Sequence, residues 1–179
     1  VILQVLYTLW FKKMPIIDII SISTGFVIRA ISGTVVVHVN ISPWLLLCTF
    51  LLALFLGLCK QRHEKLLLQD AGMEHRAVLV LYDNKLLDQL ISICSAAVIV
   101  CYAIYTLWPD TEKKFGTSNL VYTVPFVLFG IFRYLDLVYR HNKGGRPEKI
   151  LITDVPLIIN IFLYVIVTLL ILAYHSFIR

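Results

Sequence analysis

The chain has 179 residues, 59% of them hydrophobic, a mean hydropathy of +0.85 and a formal net charge of +5. A water-soluble domain of this size has too little interior to hide so much apolar surface, so the bilayer must be the solvent. No GxxxxGK[ST], GxSxG, HExxH or CxxC occurs, so soluble-enzyme chemistry of those kinds has no support, and nucleic acid is not an expected partner.

Taken in order, Val1–Phe11 is apolar but far short of the ~20 residues a spanning helix needs. It reads as the end of a helix whose beginning lies outside the sequence. Lys12 and Lys13 close it, and Pro15 suits the first turn of a helix over about 15–37. Asn40-Ile41-Ser42-Pro43 reads as a tight turn. A short span over about 43–59 then runs into Lys60, Arg62 and Glu64. The longest polar break, residues 60–86, carries His75, Arg76 and Tyr82, and Asp88 opens the next apolar run. Spans follow at about 87–108, 119–139 and 153–178. Trp10, Trp44 and Trp108 all fall at predicted span ends, as an interfacial aromatic belt would place them. Cys48, Cys59, Cys94 and Cys101 lie in or beside apolar runs and read as small packing residues. The prediction is one all-α, polytopic membrane domain over 1–179, with five complete spans and a partial one.

If the spans alternate, the linkers 12–14, 60–86 and 140–152 share one side of the membrane. They carry eleven basic residues: Lys12, Lys13, Lys60, Arg62, Lys65, Arg76, Lys85, Arg140, Lys143, Arg146 and Lys149. The other side has three, Lys113, Lys114 and Arg179. That asymmetry predicts that the large loop is cytoplasmic.

Charge within the spans marks candidate functional positions. Ser21, Gly25, Arg29 and Gly33 recur every four residues and share a helix face, with Asp18 on a similar face nearer the cytoplasm. An arginine at that depth is expected to face the bundle interior or a wet cavity. It either bonds to backbone carbonyls or a neighbouring acid, or touches a ligand. Arg133, Asp136 and Arg140 align as a charged stripe, which reads either as a helix-end ion pair or as Arg133 binding phosphate inside a cavity. Lys60 and Glu64 share a face, while Arg62 points elsewhere. With two other basic linkers on that side, a focused positive field suits a polyanion such as a diphosphate, and equally anionic lipid head groups. Glu64 would then hold magnesium or a metal-bound water, because magnesium favours one or two carboxylates plus phosphate oxygens. Thr153 or Asp154 suits the N-cap of the last span.

Five short motifs occur in order: GFVIRAISG, KQRHE, HRAVLxxY followed by LLDQLI, FRYL, and GGRPE with a downstream D-x-P. Together they resemble the decaprenyl-phosphate phosphoribosyltransferase branch of the UbiA-type intramembrane prenyltransferases, over nearly the whole chain. The resemblance implies a bundle of about nine helices around a cavity open to the cytoplasm and laterally to lipid, of which this chain would hold roughly five and a half. It places loop 60–86 at the second polar motif, with Lys60-x-Arg62-x-Glu64 where aromatic-acceptor prenyltransferases have DxxxD. Nothing matches the first motif, NDxxDxxxD, so the resemblance implies a C-terminal portion that is inactive alone.

The activity implied is magnesium-dependent transfer of 5-phosphoribose from phosphoribosyl diphosphate to a polyprenyl phosphate, at a prokaryotic inner membrane. Lys60, Arg62, Arg76 and Arg133 are the implied phosphate contacts, and Glu64 a metal-linked or ribose contact. Asp18, Arg29, Tyr82, Tyr134, Asp136 and Asp154 are the candidates for lining the cavity. Prenyl transfer to an aromatic acceptor is the second reading, and a non-enzymatic transporter or assembly subunit the third.

Overall fold

The computed structural model describes residues 16–37, 42–71, 83–140, 145 and 147–178, and among these all regular structure is helical. The elements are α1 (Ile17–Val37), α2 (Pro43–Ala71), α3 (Asn84–Leu107), α4 (Pro109–Phe115), a 3-10 helix (Asn119–Thr123), α5 (Val124–Arg140), α6 (Pro147–Thr153) and α7 (Val155–Ile178). Five stretches are long and apolar enough to cross a membrane: α1, α2, α3, the 3-10 helix continued by α5, and α7. The chain is therefore an integral, multi-pass helical membrane protein. The expected fragment Val1–Phe11 lies outside the described residues.

The side chains of α1 show how a polar residue survives in hydrocarbon. Ser21, Ser23, Thr24 and Ser32 each donate to the carbonyl four residues back, at 2.7–2.9 Å. No hydroxyl among them needs water, so a helix rich in Ser and Thr can still sit in lipid.

Two predicted boundaries move. The span expected to end at residue 59 continues as helix to Ala71, and Lys60, Arg62 and Glu64 are helical. Residues 60–71 are mostly Lys, Gln, Arg, Glu and Leu, all good helix formers, and Gly72 is the first breaker. At ~1.5 Å per residue, α2 is ~43 Å long against a ~30 Å hydrocarbon core, so its charged last turns stand clear of the lipid tails. Similarly, α3 begins at Asn84, with the Asp83 side chain accepting from the Lys85 amide at the N-cap. Asp88 thus sits in the second turn instead of opening the helix.

Where the chain leaves the membrane at the opposite end, Trp44 packs against Trp108 in a tilted arrangement, with ring centroids 5.2 Å apart and the ring planes at 57°. There the short helix α4 carries Asp110 and Glu112 in its first turn and Lys113 and Lys114 in its last, matching its dipole. Gly116 closes α4 at φ 74°, a left-handed conformation that costs glycine little.

The core lies between α2 and α3, closed by α5. Phe55, Cys59, Leu87, Ile91 and Val98 are fully buried, and Phe55 packs on Tyr134 at 5.5 Å. All four cysteines are free and buried there, as small packing residues. Tyr102 ties α3 to the 3-10 helix and to α7 through hydroxyl contacts of 2.7 Å to Thr123 and 3.0 Å to Tyr164.

Candidate functional site

Helices α1 and α2 pack closely because Gly57 has no side chain: a Cβ there would lie 2.9 Å from Ile19 Cγ2. Beside this contact runs a cavity of about 600 Å³, closed on its third side by α6. From α2 it takes Thr49, Leu52, Ala53, Leu56, Gly57, Lys60, Gln61 and Glu64, a single stripe at helical spacing. From α1 come Asp18, Ile19, Ile22 and Phe26, and from α6 Pro147, Glu148 and Leu151. Both long helices grade the same way. Their ends bearing Asp18, Lys60, Gln61 and Glu64 are polar, with Glu148 of α6 beside them, and the opposite reach, past Ile22, Phe26, Leu52 and Leu56, is apolar. The result is an amphipathic groove running from the charged end of the bundle towards its middle.

At the polar end Gln61 Nε2 donates to Asp18 Oδ2 at 3.4 Å. Asp18 is 9% exposed and Gln61 7%, yet among the described residues Asp18 Oδ1 and Gln61 Oε1 have no hydrogen-bond partner. Nearer solvent, Lys60 Nζ stands 3.9 Å from Glu64 Oε1, with the lysine side chain 54% exposed, so that pair contributes little stability. The described lining thus carries three carboxylates, Asp18, Glu64 and Glu148, against one lysine. This differs from the basic mouth expected from the sequence. The reason is that the basic residues of α2 lie on different faces, while Arg76, Lys143 and Arg146 belong to linkers outside the described residues.

Arg62 leaves the groove altogether. Its Nε donates to Asp88 Oδ1 at 2.7 Å, and its guanidinium lies 4.3 Å from the centroid of the Tyr139 ring. Tyr139 in turn donates its hydroxyl to Asp88 Oδ1 at 3.1 Å. This three-residue knot joins α2, α3 and α5 on the far side of α2. The position of Arg62 away from the Lys60–Glu64 face was legible from helical spacing; its partners were not.

Arg133 also stands off the groove. Its Nε and Nη2 donate to the two carboxylate oxygens of Asp154, at 3.1 and 2.8 Å, and Nη1 donates to Asp136 at 2.9 Å. Arg140 reaches Asp136 from the next turn at 3.2 Å. The helix-end ion pair is therefore what the structure builds, with Asp154 added as a bidentate partner from across the bundle. Asp154 also accepts from the Leu157 amide at 3.1 Å, which makes it the N-cap of α7, while Thr153 turns its hydroxyl back to the Lys149 carbonyl. Asp136 and Asp154 thus serve this network and do not line the groove.

Two more expectations are corrected. Tyr134 is 3% exposed and packs on Phe55 in the core, because its face of α5 meets α2 and not the groove. Arg29 is exposed, with its guanidinium 5.3 Å from the Phe26 ring, and no residue lies within 4 Å of where a Cβ would stand on Gly25 or Gly33. Among the described residues, no helix comes to the Gly25–Arg29–Gly33 face, and Arg29 is not part of the groove beside Gly57. Arg76 and Tyr82 lie outside the described residues.

Of the sequence candidates, the structure brings Asp18, Lys60 and Glu64 together in one groove. Sequence reasoning missed Gln61, Glu148 and Asp88. Gln61 had a signal, because Gly57, Gln61 and Glu64 fall at i, i+4 and i+7 once the helix is extended. Among the described residues, no group of three or more His, Cys, Asp or Glu side chains converges to hold a metal on its own.

No protein-family model matches the chain. It is 31% identical over 153 residues to a decaprenyl-phosphate phosphoribosyltransferase of Corynebacterium glutamicum, a match covering 85% of this chain and 46% of that protein. It is 29% identical over 159 residues to the protein of the same name from Mycolicibacterium smegmatis, covering 84% and 49%. With the Mycobacterium tuberculosis protein of that name the identity is 28% over 152 residues, covering 85% and 49%. The chain spans about half the length of the curated relatives it matches. The resemblance carried by the five short motifs thus extends across most of the sequence.

Proposed function

We propose that this chain forms part of an intramembrane transferase that moves 5-phosphoribose from phosphoribosyl diphosphate to a polyprenyl phosphate. The observation that carries the reading is the amphipathic groove between α1 and α2, taken with the name shared by the relatives. A polyprenyl phosphate is a long apolar chain with an anionic head. The groove offers Ile22, Phe26, Leu52 and Leu56 at one end and charged or polar groups at the other. The eleven-to-three distribution of Lys and Arg supports a polar end facing the cytoplasm, where a water-soluble diphosphate is available.

The oxygen donors at the polar end fit a magnesium ion in the way that ion is usually held, by one or two carboxylates completed by substrate phosphate oxygens. Glu64 and Glu148 would supply the carboxylates. Bound magnesium supplies neutralisation of the diphosphate as it departs. The lysine at position 60 adds a mobile cation at the mouth, suited to the same phosphate oxygens. The acceptor's phosphate is already anionic near neutral pH, so the protein has to orient it and exclude water more than to deprotonate it.

The test uses the gene-encoded protein that carries this chain, in liposomes with magnesium and phosphoribosyl diphosphate labelled in the ribose. A polyprenyl phosphate is offered in one reaction, and a polyprenyl diphosphate with an aromatic acid in another. Label entering the lipid, reduced about tenfold or more by Glu64→Gln, is the expected result; loss of an electrostatic contact at the reacting phosphates has this scale. Prenylation of the aromatic acid would replace the substrate assignment. No transfer in either reaction would remove the enzymatic reading.

A further inference from the structure

We infer that Asp18 and Gln61 form a subsite for the sugar hydroxyls of the donor substrate, an assignment that rests on the proposed transfer and adds a substrate-orienting pair to it. Both residues are more than nine-tenths buried at the polar end of the groove, and among the described residues each keeps one acceptor oxygen without a partner. A buried carboxylate normally collects several donors, because leaving it unsatisfied is costly. Here its one described side-chain hydrogen bond is the 3.4 Å contact from Gln61. That contact turns the amide nitrogen towards Asp18 and leaves the amide with an acceptor to offer. Terminal torsions of Asp and Gln are broad, so modest rotations present Asp18 Oδ1 and Gln61 Oε1 to a group in the groove.

Two adjacent acceptors call for two adjacent donors. A cation is the poorer match, since a hard divalent ion demands about six oxygens in near-ideal geometry and no third metal-binding side chain converges here among the described residues. A phosphate is excluded by sign, having no proton to donate to a carboxylate when ionised. Neighbouring hydroxyls of a ribose ring satisfy both oxygens with one rigid group. Lys60 directly precedes Gln61 and Glu64 follows it by about a turn, both lining the same groove, where the phosphate groups attached to that ring would sit. The pair would therefore orient the sugar and select for its hydroxyls, while the charged mouth handles the phosphates.

The test compares binding of phosphoribosyl diphosphate and its 2,3-dideoxy analogue to the same gene-encoded protein in liposomes. The liposomes are pure phosphatidylcholine, so that no lipid head group supplies hydroxyls. Preference for the hydroxylated ligand by roughly ten- to hundredfold is expected, the scale of hydrogen bonds to a charged partner. Asp18→Asn and Gln61→Leu should each shrink that preference while leaving the dideoxy affinity within about twofold. If either variant fails to fold, the wild-type comparison and the other variant still decide the question. Equal binding of the two ligands by the wild-type protein overturns the subsite while leaving the transferase reading intact. Binding of neither overturns both. A preference that survives both substitutions, or a change confined to the magnesium requirement, overturns the assignment to this pair. Displacement of the sugar by added phosphatidylinositol, without any ribose preference, would assign the hydroxyls to a lipid and overturn it as well.

Discussion

Beside the groove α1 and α2 meet at Gly57 without room for a side chain, and Gly57→Ala tests that contact directly. The added methyl would lie 2.9 Å from Ile19 Cγ2, where ordinary contacts are 3.4–4 Å. Ile19 is 3% exposed and β-branched, so its side chain cannot swing aside and α1 must shift instead. Overpacking of this kind costs about 1–3 kcal/mol. Against it stands the gain of about 0.8–1.0 kcal/mol when alanine replaces glycine inside a helix. The net expectation is a loss of about 0–2 kcal/mol, measured by reversible unfolding in mixed micelles. The single substitution is thus less informative than a cycle with Ile19→Ala, which removes the clashing carbon. In that background the alanine at 57 should be neutral or stabilising by up to about 1 kcal/mol, giving a coupling of about 1–3 kcal/mol. Equal effects of Gly57→Ala in both backgrounds would show that α1 does not rest on α2 at this point, and the groove described above would lose its wall.

Asp88→Asn should destabilise the protein by about 1–3 kcal/mol, less than a fully buried pair would lose, because the Asp88 side chain is 41% exposed. Its donor-substrate affinity should not change; a selective loss of that affinity in Arg62→Ala would return Arg62 to the substrate. Gly145→Ala should push the linker before α6 away from α2 at this position, since a Cβ at 145 would collide with Cδ2 and Nε2 of the His63 imidazole. Faster proteolysis of that linker is the readout, with His63→Ala restoring the wild-type rate. An unchanged rate in Gly145→Ala would refute the contact.

Much of the architecture was legible in the sequence because a membrane span is a local signal. A run of apolar residues bounded by Pro, Trp or charge announces itself without any knowledge of its neighbours, and four of the five observed spans fall within a few residues of their expected limits. The exception is the end of α2. Hydropathy ends the span at Cys59, but helix propensity carries the backbone to Ala71, and the two signals measure different things. The candidate site was only partly legible, since a charged residue in a span can face either a ligand or a partner. Helical spacing separated Arg62 from Lys60 and Glu64. It could not reveal that Asp88, 26 positions further on, waits for Arg62, or that Asp154 reaches Arg133 from across the bundle. Those pairings are tertiary facts with no local trace. The surroundings of Arg29 were illegible for a related reason: its small-residue face was recognised, but what approaches that face is not decided within α1.

The charges at the polar end therefore divide into two populations with different physical duties. Arg62–Asp88–Tyr139 and Arg133–Asp136–Asp154 are mutually satisfied, with donors and acceptors matched across four segments of the chain. In a bundle whose helices gain little hydrophobic drive from one another inside lipid, such matched pairs fix register and orientation. Asp18 and Gln61 are the opposite case, buried and each with one oxygen unpaired among the described residues, and Gln61 sits on the same helix α2 that the Arg62 knot ties to α3 and α5. A half-satisfied polar group is a standing cost to the folded state unless a ligand completes it. Neighbouring positions of α2 thus carry both populations, pointing about 100° apart, Arg62 towards α3 and α5 and Gln61 towards the groove. Stability and binding should consequently separate on substitution, with the far face reporting in unfolding experiments and the groove face in ligand discrimination.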